Sequence, residues 1–222
     1  MARIQIIAAH ADDEALGCGG TIARHTAMGD EVRVLFMTDG EASRGERSEQ
    51  AYVRAMASQA ACACLGVATP TNLDFPDNAM DTVPLLSIAK SIAAALKDFE
   101  PDIVYTHHAQ DLNVDHRLTH EAVMTVLRPQ PDLKNSTILA FETVSSTEWR
   151  SQTSGTAFIP NWYQDISEYL DRKLEALVIY EMEMRAWPHA RSLKAVEHLA
   201  RWRGASIGRQ AAEAFQLVRS VK

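Results

Sequence analysis

Cysteine is scarce in this chain. Three occur in 222 residues, and Cys18, Cys62 and Cys64 form neither an even set nor a CxxC pair. That excludes a disulfide framework and a cysteine-built zinc site. Long apolar runs are lacking as well. The first, Ile6 to Ala9, stops at His10 and is too short for a signal-peptide core. No stretch nears the roughly 18 apolar residues of a membrane helix, so the expectation is a cytoplasmic protein without a membrane span. Basic charge is in deficit: 22 Lys plus Arg stand against 29 Asp plus Glu, for a formal net charge of −7. This argues against nucleic acid, whose phosphates call for a basic stripe, and against an anionic membrane surface. Repeats and low-complexity linkers are missing too. What remains is an ordinary globular composition, 46% hydrophobic and 23% charged. A chain of this length buries roughly 70% of its unfolded surface and folds without a structural metal. A metal here would serve chemistry.

Apolar, β-rich runs alternate with helical patterns. The pattern predicts strands at Ile4–Ala9, Glu31–Thr38, Asn72–Phe75, Asp102–His107 and Thr137–Thr143. Between them it predicts helices at Glu14–Met28, Ser48–Leu65, Pro84–Phe99 and Asp115–Leu127. That alternation predicts an α/β fold: a Rossmann-like, mostly parallel sheet sandwiched by helices. The last third departs from it. A long polar and aromatic loop spans Ser145–Asp165, helices follow at Glu168–Arg185 and Ser192–Trp202, and Ala214–Val218 reads as a final strand or tail. We therefore expect a single domain over 1–222, with a core of about 1–144 and a loop and C-terminal helical cap of about 145–222. In such sheets ligands bind beyond the carboxyl ends of the strands.

Two clusters stand at those ends. His10-Ala11-Asp12-Asp13-Glu14 follows the first strand and crowds three carboxylates and an imidazole into one turn. A divalent cation relieves that repulsion; alternatively Asp12 or Asp13 simply caps the next helix. Tyr105 to Arg117 (YTHHAQDLNVDHR) follows the fourth strand, with His116 opening a helix and His120 one turn on, read as a solvated residue. Together His10, Asp13 and His116 make a two-histidine, one-carboxylate set. It suits Zn²⁺ with an open position, and also Fe²⁺ or another divalent metal.

These clusters resemble the signature of the PIG-L/LmbE family of zinc-dependent N-acetyl sugar deacetylases: a His-Pro-Asp-Asp-Glu run and a downstream Asp-His pair. MTDGEASRG at 37–45, FPDNAMD at 75–81, FETVSSTEW at 141–149 and WPHARSL at 187–193 extend the resemblance. The resemblance implies His10, Asp13 and His116 as metal ligands and Asp12 as general base, with Glu14 supporting the loop. Two positions depart from the pattern. Ala11 replaces the usual proline and loses its rigidity. Asn113 stands where some members carry a histidine; it can donate a hydrogen bond to an oxyanion but cannot supply a proton. His189 is the candidate acid in its place, with His107 and His108 behind it; Asp12 alone could also do both jobs. Arg44, Asp77, His108 and Arg191 are candidate substrate-binding residues, with Glu148 weaker, and Trp149, Trp162 and Tyr163 are candidates to stack on a sugar. Gly17-Cys18-Gly19-Gly20 lacks the third glycine of a dinucleotide fingerprint and reads as close packing, as do Cys62 and Cys64.

The function implied is removal of an acetyl group from the nitrogen of an N-acetyl amino sugar, such as an N-acetylglucosamine-type glycoside or nucleotide sugar. The alternatives are an amidase on a larger N-acyl or thiol-sugar conjugate, and an inactive sugar- or nucleotide-binding module. The expected partner is that small molecule, with a homo-oligomer left open.

Overall fold

A computed structural model describes residues 1–38, 49–131 and 134–221. Strands β1 (Arg3–Ala8), β2 (Glu31–Thr38), β3 (Thr71–Phe75), β4 (Ile103–His107) and β5 (Thr137–Phe141) pair in parallel. They alternate with α1 (Asp13–Ala27), α2 (Glu49–Cys64), α3 (Leu85–Ala95) and α4 (Val114–Val126). The seven-stranded sheet runs β3-β2-β1-β4-β5-β7-β6. The chain winds outward through β2 and β3, then returns to lay β4 on the other side of β1. The crevice between β1 and β4 is therefore the switch point where this kind of sheet takes ligands.

Alternation along β1 builds both faces. Ile4, Ile6 and Ala8 pack in one cluster with Leu16 and Ile22 of α1, Cys62 of α2 and Leu177 of α5 (Leu170–Ile179). Ile7 points to the opposite cluster, with Ile88 and Ile92 of α3 and Val123 of α4. Both faces are covered, as a parallel sheet requires.

The C-terminal third differs from the expected loop and helical cap. β6 (Trp162–Asp165) lies inside the span read as loop, and β7 (Ala212–Arg219) is a full strand. Both pair antiparallel, β7 inserting between β5 and β6. Four polar and aromatic residues carry no period of their own, so β6 forms only because β7 offers it a ladder. The helix expected to run to Arg185 stops at Ile179, and α6 covers Leu193–Ala205.

α1 is broken at Cys18, whose backbone sits at φ −147°. A Cβ on Gly17 would enter the Phe141 ring, and one on Gly20 would come within 2.7 Å of Ile166, so close packing explains these glycines. Glu213 of β7 serves the break: its carboxylate accepts from Gly20 N at 3.0 Å and Thr21 N at 2.7 Å. Lys173 of α5 donates to Leu16 O at 2.8 Å and to Glu213 at 2.5 Å.

Candidate active site

The turn after β1 is forced into an uncommon shape. Asp12 has φ 114°, a left-handed conformation costing about 1–3 kcal/mol in a residue with a side chain. Asp12 occupies the N-cap position of α1 but makes no side-chain cap bond. Instead its Oδ2 receives Arg191 Nη1 at 2.5 Å, while its N–H donates to Glu14 at 3.0 Å. Glu14 in turn accepts from Tyr180 Oη at 2.8 Å. The turn thus separates the two aspartates: Asp12 faces Arg191 and Asp13 faces the histidines.

Three atoms converge there. His10 Nδ1 and His116 Nε2 each lie 3.2 Å from Asp13 Oδ2 and 3.3 Å from each other. Ligands about 2.05 Å from a tetrahedral ion stand about 3.3 Å apart, so the triangle fits one face of such a site. The other carboxylate oxygen, Asp13 Oδ1, is buried with no hydrogen-bond partner among the described residues. A buried orphan of this kind calls for a cation.

Further carboxylates hold the two imidazoles from behind. Asp111 Oδ1 lies 3.1 Å from His116 Nδ1, and Asp111 also accepts from Ser146 Oγ and from Thr147 Oγ1 at 2.5 Å. His10 Nε2 meets Asp115 at 3.0 Å and Asp77 at 3.1 Å. Asp115 also accepts from Asn78 N at 2.7 Å and Met80 N at 3.0 Å. Such partners fix ring orientation and raise ligand basicity. His107 stacks on His116, ring centroids 3.8 Å apart, and its Nε2 accepts from Ala9 N at 2.8 Å.

The electrostatics follow. Burial opposes charge on His10, but Asp115, Asp13 and Asp77 outweigh it and hold its pKa well above the usual imidazole value. Burial likewise opposes charge on His116, yet Asp13 and Asp111 bring it to about 9. Burial would raise Asp13, but His116, His107 and His10 hold it well below the carboxylate range. The cluster attracts positive charge, and a divalent ion displacing those protons would supply it. Burial pushes Asp12 up to about 7 despite Arg191, and pushes Glu14 to about 8.

A cavity of about 230 Å³ opens over this set. His10, Asp12, Asp77, Asn113 and Arg191, all singled out in the sequence, line it. Asn113 caps α4, its Oδ1 accepting from Asp115 N at 2.8 Å and its Nδ2 donating to Asn78 at 3.1 Å. His108 is not brought in: its ring nitrogens meet Gln216 at 2.7 Å and Thr156 O at 3.1 Å. His189 lines a neighbouring hollow, its Nδ1 accepting from Arg191 N at 3.0 Å. Arg44 lies outside the described residues. Trp162 and Tyr163 sit on β6 and do not line the cavity. His120 is half-buried and reaches His107 O at 2.8 Å, so it is a packed residue, not a solvated one. Sequence reasoning passed over Asp111, Asp115, Arg54 and Glu183. The first two stand in the cluster itself, but spacing does not say which carboxylate backs which ring. Arg54 and Glu183 meet at 3.1 Å on the cavity wall, 129 positions apart by 183 − 54.

The profile of the family described as PIG-L, GlcNAc-PI de-N-acetylase, matches residues 5–127. Over 191 residues the chain is 26% identical to the probable N-acetyl-α-D-glucosaminyl L-malate deacetylase 2 of Bacillus cereus, covering 82% of this chain and 84% of that one. It superposes on the N,N′-diacetylchitobiose deacetylase of Pyrococcus horikoshii with a TM-score of 0.78 and 22% identity, over 98% of this chain and 84% of that one. It also superposes on GalB, the 4-carboxy-2-hydroxymuconate hydratase of Pseudomonas putida, with a TM-score of 0.76 and 21% identity, over 100% and 98%. At these identities the superpositions establish the fold. One fold bearing two chemistries leaves the reaction to be argued from the site.

Proposed function

Because the chain belongs to the PIG-L family of GlcNAc-PI de-N-acetylases, we propose that it is a metal-dependent hydrolase that removes the acetyl group from an N-acetylglucosamine-type sugar. The observation carrying this reading is the triangle of His10 Nδ1, Asp13 Oδ2 and His116 Nε2, with edges of 3.2–3.3 Å, beside the carboxyl of Asp12. Those three residues would hold the ion, with zinc first and iron(II) second by ligand chemistry. Such an ion acidifies water and polarises an amide carbonyl, which supplies the electrophilicity an amide lacks.

The chain's own groups do the rest. Asp12, poised near pH 7, takes a proton from water as the water oxygen bonds to the carbonyl carbon. It then returns that proton to the nitrogen as the C–N bond breaks, releasing acetate and the free amine. One carboxyl serving both steps needs no separate acid, which suits a chain with Asn113 in place of a histidine. Arg191 fixes the orientation of Asp12. Asp77, at the cavity wall beside His10, is assigned to the sugar hydroxyls.

Acetate release from N-acetylglucosaminyl compounds by the metal-loaded protein tests the reading. Asp12→Asn should lower kcat by roughly 10²–10⁴ with metal content unchanged, because Asp12 is not a ligand. Full activity in that variant, or in protein stripped of metal, refutes it.

A further inference from the structure

The cavity over the ligands does not end at Arg191. Beyond it lies a second hollow of about 230 Å³, lined by Ser145, Trp149, Glu183, Arg185, His189 and Arg191. Glu183 and Arg191 border both spaces. Resting on the deacetylase reading above, we propose that this hollow is a subsite for the part of the substrate beyond the acetamido sugar, and that it takes a second pyranose ring stacked on Trp149.

The tryptophan is presented, not left over. Trp149 is 53% exposed, yet the turn carrying it is bonded throughout. Glu148 accepts from Ser145 N at 2.6 Å, Thr147 N donates to Thr143 O at 2.9 Å, and Trp149 N donates to Ser146 O at 3.2 Å. The same turn is tied to the site in two places. Ser146 and Thr147 donate to Asp111, the carboxylate behind His116. Ser145 Oγ accepts from Arg191 Nε at 2.7 Å, and Arg191 holds Asp12. The indole is thus fixed relative to both a metal ligand and the proposed base. A large aromatic face held in water beside a reaction cavity is a binding platform.

The lining selects the ligand class. His189 stands edge-on to Trp149, 5.6 Å between centroids at 81°, and Arg191 N already occupies its Nδ1. Arg185 Nη1 donates to Met182 O and Met184 O, each at 2.8 Å. Glu183 pairs with Arg54 at 3.1 Å, and Arg191 pairs with Asp12. Glu183 and Arg191 are thus matched by charged partners, while the Arg185 guanidinium is turned to backbone carbonyls. Polar edges around an indole face suit a ring with an apolar C–H face and a rim of hydroxyls.

The test compares acetate release from N-acetylglucosamine with release from N,N′-diacetylchitobiose, in metal-loaded protein, as the ratio of kcat/KM for two rings over one. Trp149→Ala should lower that ratio roughly three- to tenfold, chiefly through KM for the disaccharide. Trp149→Phe, which keeps an aromatic face, should retain most of it. Saturation-transfer NMR with the disaccharide reads binding without turnover: both sugar rings should be saturated by the parent protein, and the second ring should lose its signal in Trp149→Ala. An unchanged ratio in Trp149→Ala, or no second-ring saturation in the parent, overturns the subsite. Trp149-dependent saturation without acetate from either sugar keeps the subsite and refutes the deacetylase reading.

Discussion

Asp12 and Asp13 are neighbours with the same side chain, and the fold drives their carboxyls apart. Burial raises Asp12 to about 7, whereas the histidines around Asp13 hold it well below the usual range. Pairs separated in this way divide chemical roles, one anchoring charge and the other moving protons. Arg191 is the main counterweight to burial at Asp12. Replacing it with alanine removes that positive charge, so the carboxyl ionises only at higher pH. A base must be ionised to act, so the acid limb of the kcat/KM profile of Arg191→Ala should move upward from about 7. Activity lost at neutrality should partly return near pH 9, and a limb that stays in place contradicts the assignment. Asp111 is assigned to hold His116 in orientation. Asp111→Asn should therefore weaken metal affinity by about 10–100-fold while leaving the three ligands intact, which a competition titration with a chelator measures.

Among the elements, β7 decides how the C-terminal third attaches. It offers β6 a ladder, and through Glu213 it supplies acceptors for the N–H groups freed at the Cys18 break in α1. Lys173 neutralises that buried carboxylate at 2.5 Å. Lys173→Met alone leaves the charge uncompensated and should cost about 3–5 kcal/mol; adding Glu213→Gln should recover part of that loss. Urea unfolding of the two variants checks the order. The same elements show what the sequence makes legible. β1, β2, β4 and β5 were readable because each is a short apolar run set between helical patterns, as a strand buried on both faces must be. The two clusters that meet in the site were readable because three carboxylates and paired histidines have no packing reason to gather at strand ends. β6 was not, since its pairing is supplied from far along the chain, with Trp162 opposite Phe215 and Asp165 opposite Ala212. The pairing of Arg191 with Asp12 was not readable, because nothing local reveals a carboxylate 179 positions earlier, by 191 − 12.

For the molecule as a whole, the buried titratable groups set how stability depends on pH in the metal-free protein. Asp13 and Asp111 are held low, so their contribution is complete above about pH 4 and lost only in acid. Glu14 at about 8 and Asp12 at about 7 lie above their unfolded values near 4. Between those limits the folded state keeps protons that the unfolded state releases, so stability falls as pH rises. His116 at about 9, and His10, also raised, act in the same sense, their contribution fading as pH climbs from about 6.5 toward 9. His107 and His120, held low by burial, act in the opposite sense below about pH 6.5, so the metal-free chain should keep its maximum between about pH 5 and 6.5 and decline from there toward pH 9. Glu14→Gln isolates one group: its single amide oxygen can keep one of the two bonds that Glu14 accepts from Asp12 N and Tyr180 Oη, and it never ionises. It should flatten the decline between pH 4.5 and 8 by roughly 1 kcal/mol per pH unit, about 2–4 °C in Tm for a chain of this size. Metal binds the deprotonated histidines, so loading should release protons near neutrality and move the stability maximum to higher pH. Thermal scans of both proteins from pH 4.5 to 9, with and without zinc, read all of this at once. A parallel slope in Glu14→Gln would place the buried proton on another group.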